Sequence, residues 1–454
     1  MLFRSLIYPS VVPESSPRKN LERQGHLESR EPGERDQCSS LPLHIGQDVD
    51  IRIEDVVHGG HMIGRVDGFA VFVRHALPGE FVRARVTDVR RTFARADAIE
   101  IWDRHEDRVE SVCSAFGAFG CGGCDFLHAN RPLQLRMKEV VLREALGHHG
   151  GLPSDVVDEL MGEGIIDLGL ELEWRTRMTY SVYVADDGTK RLGLHRHRSS
   201  QIIDASCCRT SSPPLHSAAT AAIGGTPSGG AVVAALGDDS AQVLICDDKK
   251  QSGASSQQAR VTQRLRVDEA EFVFRPGVGD FWQVHPALLA AIIEAIVEFG
   301  RPTQGSTWWD LYSGSGPISA ALAVSVGSRG SVHAVETASA AISNGRRALH
   351  NVPSVRLQHA TVMEWLERSP SEQPEGVVLD PPRAGAGRRI VESITSALPR
   401  VVIYVACDPV ALARDCAIFH ACGYEMDRLR VFDAFPQTHH METIAAFVPS
   451  RGLS

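Results

Sequence analysis

The chain changes its hydrophobic rhythm several times. Residues 1–44 mix Pro, Ser, Glu and Arg with no apolar period. They cannot bury enough surface to offset the entropy of ordering, and a disordered tail is expected there. From Gln47 short period-two runs appear, Val49 to Ile53, Ala70 to Val73 and Phe81 to Val86, with Gly59-Gly60, Asp67-Gly68 and Pro78-Gly79 between them. Alternation broken by tight turns predicts a small OB-like β-barrel over 45–105. Leu133 to Leu146 has helical spacing. Residues 170 to about 275 alternate again, with strand pairs around the Asp186-Asp187-Gly188 turn, whereas Gly224 to Gly237 and Asp247 to Gln258 read as loops from their Gly, Ser and Asp content.

From Gly305 the pattern becomes one of continuous apolar runs, each ending in a residue with chemistry. Trp308 to Tyr312 runs into Ser313-Gly314-Ser315-Gly316, and Ser331 to Val335 into Glu336. Gly376 to Leu379 runs into Asp380-Pro381-Pro382-Arg383, and Val401 to Val405 into Cys407. Strands buried on both faces predict a doubly wound α/β sheet, whose ligands sit at the carboxyl ends of the strands. Residues 281–454 are assigned to this Rossmann-like domain, and 106–280 to a central α+β domain.

Composition adds little to the fold and something to the setting. A length of 454 residues suggests about three domains. The net charge of −9 excludes a uniformly basic coat but leaves local arginine clusters free to hold a phosphate backbone. Arg83, Arg85, Arg90, Arg91 and Arg95 form one such cluster, and Arg175, Arg177, Arg196 and Arg198 another; a solvated strand face would look the same. No apolar run approaches a membrane span, and a soluble, cytoplasmic monomer is expected. Cys113, Cys121 and Cys124 crowd together, as do Cys207 and Cys208, a pattern of metal or redox chemistry that suits zinc or an iron-sulfur cluster.

The glycine turn with Glu336 predicts a nucleoside site, the glycines admitting the backbone and the acid accepting from ribose hydroxyls. A dinucleotide loop would place a third glycine where Ser319 stands, so S-adenosylmethionine is the better ligand. Cys407 alone is read equally well as a nucleophile or as a core cysteine.

Several segments carry a family resemblance. HMIGRVDGFAVFVRHALPGEFVRARV, from His61 to Val86, is similar to the TRAM domain, an RNA-binding barrel. Cys113-x7-Cys121-Gly-Gly-Cys124, Cys208 with Pro213 after it, Phe281-Trp282-Gln283-Val284-His285, Leu379 to Gly385, Ala406-Cys407-Asp408-Pro409 and His440-Met441-Glu442-Thr443 together resemble the TRAM-containing RNA uracil-C5 methyltransferases. The resemblance runs from about Gly46 to Phe447, with a longer first cysteine interval and with Asp408 and His285 where the family has Asn.

That resemblance implies a class I methyltransferase domain behind the barrel and RNA as substrate, 23S ribosomal RNA being favoured and transfer RNA the alternative. It implies Cys407 as nucleophile on uracil C6 and Glu442 as the base at C5. Gln283, Tyr312, Gly314, Gly316, Glu336 and Asp380 are implied to hold S-adenosylmethionine, Asp380 also being placed to meet the uracil edge. A [4Fe-4S] cluster is implied on Cys113, Cys121, Cys124 and Cys208, with Cys207 as the other choice for the fourth thiol and zinc as the other metal. Asp408 is expected to raise the Cys407 pKa by its charge. A non-catalytic RNA-binding protein that kept the fold is the reading from another class.

Overall fold

The computed structural model describes residues 41–246, 259–368 and 372–450. The expected tail over 1–44 lies almost wholly outside them, as does the Asp247–Gln258 loop.

The barrel closes in the strand order Asp48–Val57, His61–Val66, Phe69–Arg74, Phe93–Asp103, Phe81–Val89. Its period-two pattern works as expected, with Val49, Ile51, Ile53, Val71, Val73, Val82, Ala84 and Val86 all buried inside. The outward arginines behave differently from the phosphate-tracking reading. Arg83 donates to Asp50 at 2.9 Å and Arg85 to Asp48 at 2.7 Å. Arg90 and Arg95 both donate to Asp88. Exposed pairs of this kind contribute little to stability, but they take up charge that was assigned to RNA.

One helix joins the barrel to the rest. Asn130 caps Arg131–His148 by accepting from the Leu133 amide at 3.0 Å, and Pro132 occupies the first turn. Leu133, Met137 and Val141 pack under the barrel, while Leu142, Ala145 and Leu146 enter the core of the large sheet. Between the two faces the buried Lys138 ammonium donates to Asp433 at 2.6 Å and to the His440 carbonyl at 2.7 Å.

The central sheet runs Ala241–Cys246, Ala231–Leu236, Arg177–Val184, Lys190–His195, Ile202–Asp204. Ala231–Leu236 corrects the loop assigned to Gly224–Gly237. Its small residues follow a glycine-rich turn and hide the pattern, yet Val232 and Ala234 are buried, and it pairs antiparallel with Arg177–Ser181. Arg177 is also not on an outer RNA face, since its guanidinium turns inward to the Val278 carbonyl at 2.5 Å and to that of Asp280.

Eight strands form the large sheet, in the order Val355–His359, Ser331–Glu336, Thr307–Leu311, Gly376–Leu379, Val401–Ala406, Glu442–Pro449, Tyr424–Asp433, Ile165–Asp167. The first five are parallel, and Glu442–Pro449 runs against Val401–Ala406. Chain order reverses between Thr307–Leu311 and Gly376–Leu379, which opens a crevice at their carboxyl ends. Among the described residues no helix is long and apolar enough to cross a membrane.

Candidate active site

A cavity of about 690 Å³ occupies that crevice. One wall is the glycine turn. Gly314 and Gly316 have φ of 55° and 87°, and a Cβ on Gly316 would lie 2.9 Å from Leu349 Cδ1, so both the turn and the packing require glycine there. Glu336 steadies the turn from the next strand, accepting from the amides of Gly314 at 3.0 Å, Thr337 at 2.7 Å and Ala338 at 2.6 Å. Beneath lies Asp310, whose carboxyl burial pushes up to about 7 although Ser319 donates to it from its hydroxyl and its amide.

The facing wall holds the reactive groups. Val401–Ala406 is buried along its whole length and delivers Cys407 to its open end. Glu442 starts the neighbouring antiparallel strand and is only 4% exposed. Burial, then the charge of Asp380, holds its carboxyl well above the usual range, and Arg383 opposes them. Asp380 itself is pushed up to about 7 by burial and by Asp310. The Cys407 thiol is pushed up to about 11, chiefly by burial and then by Glu442, with Arg383 opposing. Asp408 also raises the thiol, as expected, but less than Glu442 and Asp380 do. Its carboxylate is engaged elsewhere, capping the helix Pro409–Ala421 through the Ala411 amide at 2.8 Å and meeting His58 at 3.0 Å.

Gln283, Tyr312, Gly314, Glu336, Asp380, Cys407 and Glu442, assigned from separate stretches of the chain, thus line one cavity; Gly316, the cap of Pro317–Val326, is not among its lining residues, though its neighbours Ser315 and Pro317 are. Arg175, Asn344 and His440 also line it and were not assigned to the site. His440 was legible only as a neighbour of Glu442. Asn344 lies mid-helix, with nothing in its surroundings in sequence to single it out. His285 stays out of the cavity, buried beside Trp174 with its ring accepting from the Ala287 amide at 3.2 Å.

A model of the TRAM domain matches residues 42–99, and one described as tRNA (Uracil-5-)-methyltransferase matches 233–447. An uncharacterized RNA methyltransferase of Streptomyces avermitilis is 36% identical over 437 residues, covering 90% of this chain and 100% of its own. The chain belongs to the RNA (uracil-5-)-methyltransferase family. A Corynebacterium glutamicum relative, also an uncharacterized RNA methyltransferase, is 32% identical and covered over 98% of its length. Among solved structures, the Pyrococcus abyssi tRNA (uracil-54, C5)-methyltransferase in complex with S-adenosyl-L-homocysteine is similar in fold, with a TM-score of 0.63 at 20% identity over 88% of this chain and 99% of its own. S-adenosylmethionine is the methyl donor that this family membership supports.

A second cavity, of about 330 Å³, is lined by Cys113, Cys121, Cys124, Cys207 and Cys208 together with Arg175, Arg196 and His197. All five thiols converge, although they come from two segments more than eighty residues apart in sequence. Burial raises the thiols of Cys121 and Cys124 and holds that of Cys113 at about 11. Among the described residues no group of three or more His, Cys, Asp or Glu is arranged to hold a metal ion. The donor types and their convergence fit a thiolate-bound cluster, but the side-chain arrangement is not that of a formed site.

Proposed function

We propose that this enzyme methylates uridine C5 in RNA through a covalent adduct at Cys407. The carrying observation is that Asp380, Cys407 and Glu442 stand at one end of three consecutive strands of the large sheet and line the same cavity as Gly314, Glu336 and Gln283. S-adenosylmethionine, held by these last residues, supplies an electrophilic methyl. Uracil C5 is too weak a nucleophile to take it directly, and a thiolate solves this. Cys407 Sγ adds to C6 and the ring becomes an enolate. Its C5 takes the methyl, the sulfonium leaving as a neutral thioether. Glu442 then removes the C5 proton, the Sγ–C6 bond breaks, and the thiolate and the C5–C6 double bond are restored. A raised carboxyl is suited to that last proton transfer, and Asp380 beside it meets the uracil edge.

Large-subunit ribosomal RNA is our substrate reading, on the pairing of a TRAM barrel with the cysteine loop. Transfer RNA is the second reading, favoured by the description of the matching family model and by the printed name of the Pyrococcus abyssi enzyme. The target base must leave its stack to enter the crevice. A [4Fe-4S] cluster on Cys113, Cys121, Cys124 and Cys208 would clamp the cysteine loop to the central sheet. The test is methyl transfer from labelled S-adenosylmethionine to RNA from a strain lacking the enzyme, followed by nucleoside analysis. It should yield 5-methyluridine with the native enzyme and none with Cys407→Ala; methylation at another atom, or a fully active Cys407→Ala, would overturn the proposal.

A further inference from the structure

The first turn of the barrel reaches the catalytic strand ends. His58 stands between Asp48–Val57 and His61–Val66, and its Nε2 lies 3.0 Å from Asp408 Oδ2, across 350 positions of sequence. The other carboxylate oxygen caps the helix that begins immediately after the nucleophile turn. Both carboxylate oxygens of Asp408 are thus fixed, one by the helix and one by the barrel. The same barrel turn also presses on the motif that carries the base. A Cβ on Gly60 would lie 2.9 Å from Asp125 Cγ and 3.0 Å from His439 Cβ. His439 in turn is held by Asp125 at 2.6 Å, three residues before Glu442.

We propose that His58 is a positioning residue for methyl transfer: by holding Asp408 it fixes the turn that presents Cys407. The barrel then serves the chemistry as well as the grip on RNA. The physical reason lies in what His58 removal leaves behind. The pair is partly shielded, with side-chain exposures of 32% and 23%. Losing one partner leaves a half-buried carboxylate without its hydrogen bond, one residue from a sulfur that must become an anion. Removing the charge as well, by Asp408→Asn, takes that penalty away, because an asparagine oxygen still caps the helix.

This inference rests on Cys407 being the nucleophile. The experiment is a double-mutant cycle of His58→Leu and Asp408→Asn, with Cys407→Ala alongside, measured as kcat and KM for unmodified bulk RNA and as melting temperature. His58→Leu, which has no donor for Asp408, should lower kcat by about tenfold, as expected for one lost hydrogen bond to a charged group, and leave KM for RNA nearly unchanged. The double variant should regain most of that loss. Full kcat in His58→Leu, a loss in KM alone, or an equal loss whether or not Asp408→Asn is also present would overturn the proposal. If His58→Leu unfolds at the assay temperature, His58→Ala is carried through the same cycle. A fully active Cys407→Ala would instead overturn the reading of the nucleophile, so the two failures are distinct.

Discussion

The Gly314 amide donates to Glu336 Oε2 at 3.0 Å, so the glycine turn after one sheet strand is held in shape by the acid that ends the next. Glu336→Ala therefore loosens that turn and, on the proposed reading of the cavity, removes the acceptor for the ribose hydroxyls. Calorimetry with S-adenosylhomocysteine should show binding weakened by about tenfold or more, the cost of a lost hydrogen bond to a charged group.

Arg383 lowers both the Cys407 and the Glu442 pKa. Arg383→Gln should push the thiol further above about 11 and slow formation of the thiolate. Single-turnover methylation should fall by about tenfold or more at neutral pH, the scale of one missing charge interaction. The loss should stay constant through mildly alkaline pH and shrink only as pH nears about 11.

Asp310 is a carboxyl whose folded pKa, about 7, exceeds its ordinary value. A raised acid of this kind keeps its proton in the folded chain. Its stabilising contribution is complete below about pH 4, the unfolded value, and is lost as pH rises through the folded value. Asp310→Asn keeps an acceptor for the Ser319 hydroxyl and no longer titrates. Melting curves should show a smaller drop in Tm between mildly acidic and mildly alkaline buffer for the variant than for the native protein.

The site was legible where chemistry ends an apolar run. Glu336, Asp380 and Cys407 each close a buried strand, and local pattern places such residues at the mouth of an α/β sheet. The parts that were not legible depend on partners far away in sequence. The barrel arginines looked free because Asp48 and Asp50, which neutralise Arg85 and Arg83, lie on a strand that meets theirs only in the closed barrel. Asp408 does raise the Cys407 thiol as expected, but its partner His58 lies 350 positions away and no local motif could show it. Ala231–Leu236 was hidden by its small residues, whose burial comes from the neighbouring strand and from the helix Pro213–Ala222.

The cysteine cavity gives a test of ligand choice. Protein purified without oxygen should carry iron and sulfide in equal amounts, with visible absorption. Cys208→Ser should lose both, while Cys207→Ser should retain them. The reverse result would exchange the two thiols, and zinc in the native protein would replace the cluster.

The central claim is that Cys407 bonds to the RNA and Glu442 releases it. Glu442→Gln removes the base while leaving the thiol in place, so the methylated adduct should form and persist. Incubated with RNA and S-adenosylmethionine and separated under denaturing conditions, this variant should give an RNA-linked protein band. Digestion and mass spectrometry should place the linkage on Cys407. Glu442→Gln that turns over without an adduct, or an adduct that survives Cys407→Ala, would contradict the account.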